Sequence, residues 1–229
     1  MKNRCTSFLT LALCLTALTG MAPMNAAHAA PAANEPVAFV RFLHALSLGT
    51  KVDVAVDGER ILNDVEFGAM SKYIRVRSGY RSIRITTNNP TRTLLSTSRN
   101  FRQNDFYTLA PYGTPTSLRF LAANDSTGTP AFGRAQLTAY HLSPGLSPFD
   151  VVAYLPGGRV QTLIRNVRYG QSRRANVPAT AMTVRLVRYG RILQTLPGVH
   201  PREGRKYAAY AFGRPARNFR FTMDVTASQ

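Results

Sequence analysis

FVRFLHALSLGTKVDVAVDGERILNDVEFGAMSKY, from Phe39 to Tyr73, finds an echo in QLTAYHLSPGLSPFDVVAYLPGG, which begins at Gln136. Aligned on His44 and His141, each copy has an aspartate nine positions on, Asp53 and Asp150, and each aspartate opens an apolar alternating run. The correspondence continues through Phe67-Gly68 and Tyr169-Gly170, Ile83 to Ile85 and Val184 to Leu186, and Tyr112-Gly113 and Phe212-Gly213. An ordered series at a nearly constant offset marks a tandem repeat. His44, Asp53, Gly68, His141, Asp150 and Gly170 are its structural markers.

Within each copy the apolar period is two. In KYIRVRSGYRSIRITT, Ile74 and Val76 alternate with Arg75 and Arg77, and Ile83 and Ile85 alternate with Ser82 and Arg84. This predicts a β-hairpin about Ser78-Gly79 with one wet face carrying Arg75, Arg77 and Arg84. In AMTVRLVRYGRILQTL, Met182, Val184 and Leu186 share a face before Tyr189-Gly190 turns the chain. Long helical stripes are absent. The pattern predicts an all-β protein of two tandem immunoglobulin-like β-sandwiches of similar topology, each packing two antiparallel sheets. The expected organisation is a first sandwich over 37–122, a linker over 123–133 and a second sandwich over 134–226.

The chain ahead of the repeat reads as a transport signal. Lys2 and Arg4 precede an apolar run from Phe8 to Leu18, and Ala27-His28-Ala29 is a small-x-small cleavage site. A signal peptide over 1–29 and a short leader over 30–36 are therefore expected, with a periplasmic or extracellular product. The apolar run is too short for a bilayer core of about 30 Å. No transmembrane segment is expected after cleavage. Both cysteines, Cys5 and Cys14, fall in the removed segment, so the folded part has no disulfide to rely on.

The motifs VRFLHALS, VDVAVDGERILNDVEFGAMSKY and IRVRSGYRSIRI, with the echo AYHLSP and FDVVAYLPGG, resemble the bacterial secreted family known as domain of unknown function 4397, which commonly occurs as tandem copies after a signal peptide. The resemblance covers nearly all of the chain after the signal, and it implies an envelope or extracellular β-sandwich pair of unknown activity. The second copy departs from the first at Arg173 and Arg174, where the first has Lys72 and Tyr73. A weaker likeness around AFVRFLHA and GAMSKY is to periplasmic accessory proteins of alginate O-acetylation.

Chemistry is thinly supported. Pairing His44 with Asp53 and Ser47 would give a hydrolase triad, but there is no Gly-x-Ser-x-Gly elbow. The favoured reading is a buried imidazole tying its loop to a carbonyl or to the aspartate. Without cysteines, zinc would need histidines from both copies to converge. Asp53, Asp57, Glu59, Asp64 and Glu66 cluster without the spacing of a calcium loop. No metal site, cofactor or enzyme activity is expected.

Charge is the exceptional property. The chain has 29 Lys and Arg against 11 Asp and Glu. From Phe67 to Asn104 and from Val151 to Arg202 there is no acid at all. Arg75, Arg77, Arg84, Arg173, Arg174, Arg185 and Arg188 are the candidate contacts for an anionic polysaccharide or envelope surface. Export disfavours nucleic acid. The alternative is an accessory subunit of an exopolysaccharide-modifying complex, which would need a protein partner in the envelope.

Overall fold

The computed structural model describes residues 35–226. The expected signal peptide and most of the short leader lie outside the described residues. The first copy contributes β1 (Val37–Phe42), β2 (Val52–Val56), β3 (Glu59–Val65), β4 (Ile74–Arg77), β5 (Gly79–Asn88), β6 (Thr91–Phe101), β7 (Phe106–Thr114) and β8 (Ser117–Asn124). The second contributes β9 (Arg134–His141), β10 (Phe149–Tyr154), β11 (Val160–Val167), β12 (Ser172–Pro178), β13 (Met182–Arg188), β14 (Arg191–Val199), β15 (Lys206–Phe212) and β16 (Arg220–Val225). β8 therefore runs two residues into the stretch expected to be linker.

Sheet order repeats strand for strand. The first copy forms β4-β1-β7-β8 and β3-β2-β5-β6, and the second forms β12-β9-β15-β16 and β11-β10-β13-β14. Each copy is a β-sandwich, as the period-two pattern and the turn spacing predict. The sheets are not wholly antiparallel, because β1 runs parallel to β7 and β9 parallel to β15.

The hairpin expected about Ser78-Gly79 does not form. β4 pairs with β1 in one sheet, whereas β5 pairs with β2 and β6 in the facing sheet. Alternation reports which side chains point inward but not which strand is the neighbour, and Ser78 marks a crossing between sheets. The hairpin about Tyr189-Gly190 does form, with Arg188 opposite Arg191.

Each sandwich has its own core. Val40, Phe42, Val54, Ile83, Ile85 and Leu109 are buried in the first, and Leu137, Phe149, Val151, Val184, Leu186 and Phe221 in the second. A third cluster lies between the two, formed by Leu43, Ala110 and Tyr112 against Tyr140, Tyr210 and Phe212. The molecule is thus a stack of four sheets, whose two inner sheets are covered on both faces. This explains why β7, β9 and β15 are buried at nearly every position instead of alternating.

The joint relates the copies symmetrically. Tyr112 and Arg119 of the first sandwich meet Tyr169 of the second, with ring centroids 5.8 Å apart and the guanidinium 5.2 Å above the ring. Phe212 and Arg220 of the second meet Phe67 of the first in the same manner, at 5.5 and 5.4 Å.

Candidate functional site

The repeated histidines lie inside the fold. His44 and His141 are fully buried. Nε2 of His44 lies 3.3 Å from the Thr50 carbonyl, and Nε2 of His141 lies 3.1 Å from the Leu146 carbonyl. Each ring thus ties down the loop that follows it. Burial lowers both imidazole pKa values below the ordinary 6.5. The main chain at the same positions accepts the amides of the other markers, from Gly68 to His44 and from Gly170 to His141, both at 2.8 Å.

The repeated aspartates make equivalent contacts in the two copies. Asp53 Oδ1 accepts the Asp64 amide at 2.9 Å, and Asp150 Oδ1 accepts the Asn166 amide at 2.8 Å. Asp64 and Asn166 both have positive φ, 53° and 52°, at register shifts in the β2–β3 and β10–β11 pairings. Each aspartate therefore holds a bulge in its neighbouring strand, where a left-handed residue would otherwise be poorly supported. Neither lies in a pairing with its histidine.

The acidic run of the first copy is dispersed. Asp53 faces Arg60 at 3.3 Å, Asp57 holds Arg81 at 3.0 Å and Glu66 holds Lys51 at 3.1 Å. Among the described residues no group of three or more His, Cys, Asp or Glu side chains could hold a metal ion.

A polar cluster between the sandwiches leaves almost no trace in the sequence. Arg41 on β1 is buried, with Nε donating to Thr108 Oγ1 at 2.8 Å and Nη1 donating to Asp224 on β16 at 2.8 Å. Asp125 sits 3.8 Å from Arg41 Nε and accepts from Tyr73 at 2.8 Å and from Thr108. Burial raises the Asp125 pKa, opposed by the Thr108 hydrogen bond and the Arg41 charge. The faint signal was an arginine inside the apolar run FVRFL. Its counterpart Thr138 receives Arg174 Nε at 3.2 Å, as Arg41 lies over Tyr73 at 4.8 Å, so cation and partner have exchanged strands between the copies.

The seven arginines singled out for charge are spread over four strands, β4, β5, β12 and β13. Arg75 and Arg77 lie on β4, and Arg84 lies on β5 of the opposite sheet, so the three do not share a face. Arg77 also holds Glu35 at 2.7 Å. Arg173 and Arg174 are adjacent on β12, and Arg174 Nη2 is engaged by Thr127 at 2.8 Å. Arg185 lies over Tyr154 at 3.9 Å. Arg188 lies over Tyr189 at 5.7 Å.

Charge is distributed unevenly between the copies. From Arg134 to Thr226 there are fifteen Lys and Arg against three Asp and Glu. Those three are already engaged: Asp150 by Asn166, Glu203 by the Gly133 amide at 2.7 Å, and Asp224 by Arg41. The second sandwich is a strongly positive body whatever the local pairing.

These features define a tandem pair of eight-stranded β-sandwiches joined face to face, with a framework of buried histidines and a basic second half. The chain belongs to the family described as Domain of unknown function (DUF4397), whose model matches residues 38–152, the first sandwich and the opening of the second. No curated protein matches the chain. Among solved structures it is similar to a family 26 carbohydrate-binding module from Eubacterium rectale Amy13K in complex with maltoheptaose, at 9% identity, 84% of this chain, 98% of that one and a TM-score of 0.25. It is also similar to a candidate cell adhesion protein from Bacteroides fragilis NCTC 9343, at 11% identity, 80% of this chain, 86% of that one and a TM-score of 0.27. At TM-scores this low the two likenesses speak neither to topology nor to ligand.

Proposed function

We propose that the chain is an exported, non-catalytic binding module that presents arginine-rich surfaces to an anionic polymer or surface of the cell envelope or the extracellular space. The observation that carries this reading is the second sandwich, where fifteen cations stand against three engaged carboxylates. Arginine forks match carboxylate and phosphate oxygens, and a field of one sign draws such partners in. Export rests on the leader sequence alone. Among the described residues no helix is long and apolar enough to cross a membrane.

The test is co-sedimentation of the signal-free chain with an anionic polysaccharide, with DNA and with neutral cellulose at two salt concentrations. Retention of the anionic polysaccharide at physiological salt, with DNA released, supports the reading. A purely electrostatic contact through six to ten arginines would weaken about a thousandfold or more between 50 and 200 mM salt. Equal release of every anion would reduce the charge to background. Reversal to Glu at Arg173, Arg185 and Arg188 should weaken retention more than reversal at Arg75, Arg77 and Arg84, because the first sandwich carries most of the acids.

A further inference from the structure

The hairpin β13–β14 closes through two residues of positive φ, Tyr189 at 47° and Gly190 at 75°. Such turns select Asn, Asp or Gly at the first position, and a bulky aromatic there is disfavoured. Tyr189 is nonetheless 82% exposed at the tip, so its ring gains little from the rest of the fold. A costly conformation at an exposed aromatic points to a role outside the fold. Ile192 beside it is half exposed, and Arg188 and Arg191 flank the turn.

Topology brings further cations to the same end of the second sandwich. Asp150 pairs with Val187, which places the hairpin tip at the start of β10, next to the end of β9. β11 ends opposite Phe149, and after a connection of four residues β12 begins opposite Tyr140, so Arg168 lies at this end. β15 runs parallel to β9, which puts the turn bearing Arg214 and Arg217 there as well. Of the sandwich's three acids only Asp150 is at this end, because Glu203 precedes β15 and Asp224 pairs with Ala208 near its start. The equivalent tip of the first sandwich is Asn89-Pro90, without an exposed aromatic or an arginine on each side.

From this placement, and resting on the reading of a cationic binding module, we infer that the loop end of the second sandwich docks onto an anionic lipid bilayer, with Tyr189 and Ile192 entering the headgroup layer between arginines. Tyr189 and Ile192 are exposed at the hairpin end beside Arg188 and Arg191, an aromatic and an aliphatic side chain that a headgroup layer can take in while the cations stay with its phosphates. Tyrosine combines an apolar ring with a polar hydroxyl, the balance favoured at headgroup depth. Arginines beside it add attraction to anionic lipid that declines with salt.

The chain contains no tryptophan, so Tyr189→Trp installs a single local reporter. Tyr80→Trp, at an exposed position on the first sandwich, is the control. With vesicles of phosphatidylglycerol and phosphatidylcholine, the emission from position 189 should shift to the blue and be quenched by brominated lipid, while position 80 stays unchanged. Pure phosphatidylcholine should give neither effect. Arg188→Gln with Arg191→Gln should lower vesicle partitioning about thirtyfold. Tyr189→Asn separates binding from folding: it suits the turn, so thermal stability should hold or rise while vesicle binding falls. Vesicle binding with an unshifted reporter at 189 overturns the proposal, as does a shift caused by soluble anionic polysaccharide and not by vesicles. If vesicles are ignored while anionic polysaccharide is still retained, the lipid assignment fails and the broader module reading stands. Loss of both would end both.

Discussion

Arg41 of the first sandwich donates to Asp224 of the second at 2.8 Å, across 183 positions of sequence, from a side chain that is 3% exposed. The same guanidinium reaches Thr108 and faces Asp125, so it fastens the joint from within. Burial works against its charge, and the facing Tyr210, Tyr73, Asp125 and Asp224 outweigh that effect and raise its pKa. The contact ties the two sandwiches together beside the apolar cluster they share.

Removing that cation should therefore cost more than a surface salt bridge. Arg41→Met leaves Asp125 buried without its larger counter-charge, Lys206 being the weaker one, and breaking a buried pair on one side costs about 3 kcal/mol or more. Urea unfolding should show the loss. Asp224→Asn, at a half-exposed carboxylate, should cost well under half as much. Equal losses from the two variants would remove Asp125 from the account.

The two buried histidines predict instability in mild acid. Their folded pKa values are lowered by burial, so below about pH 6.5 the unfolded chain takes up protons that the native one refuses. The stability they contribute is present above that pH and is lost as the pH falls toward the folded values. Each can contribute up to about 1.4 kcal/mol per pH unit in that window. Replacing both by Gln should flatten the curve between pH 6.5 and 5 relative to the unmodified chain, measured by denaturant midpoint.

Gly113, next to last in β7, and Gly213, just past β15, stand at corresponding places of the repeat, with φ of 109° and 80°. A Cβ at Gly113 would stand 2.3 Å from the Ser117 carbonyl oxygen, and one at Gly213 would stand 2.4 Å from that of Asn218. Both obstacles are backbone. Either Gly→Ala change should lower stability by roughly 2 kcal/mol, visible as a lower melting temperature, whereas Gly145→Ala meets no such obstacle and should cost less.

Asp53 and Asp150 should prove structural. Asp150→Ala removes the acceptor for the Asn166 amide at the bulge, an expected loss of about 1 kcal/mol. Binding to anionic polysaccharide should persist or strengthen, because one negative charge disappears from a cationic sandwich. A collapse of binding with unchanged stability would instead place Asp150 in a site.

Much of this architecture is legible in the sequence. Alternation at Ile83 and Ile85, and at Val184 and Leu186, marks strands with one buried side, and the spacing from His44 to Asp53 and from His141 to Asp150 marks the repeat. The partner of β4 was not legible, since period two records a side chain's face and is silent on its neighbouring strand. The grouping of Arg75, Arg77 and Arg84 failed for the same reason.

By itself the sequence determined that this is a twofold-repeated β protein with a strongly basic surface, because side-chain period, turn residues and charge are local properties of the chain. Only the tertiary structure decided that the copies stack face to face, that Arg41 is buried at their joint, and that Arg168, Arg188, Arg214 and Arg217 lie at the same end of the second sandwich as Tyr189. Those outcomes depend on which strands pair and in which direction. Hydrogen bonds between distant backbone groups fix that pairing, and near-identical peptide units leave little of it written in residue order.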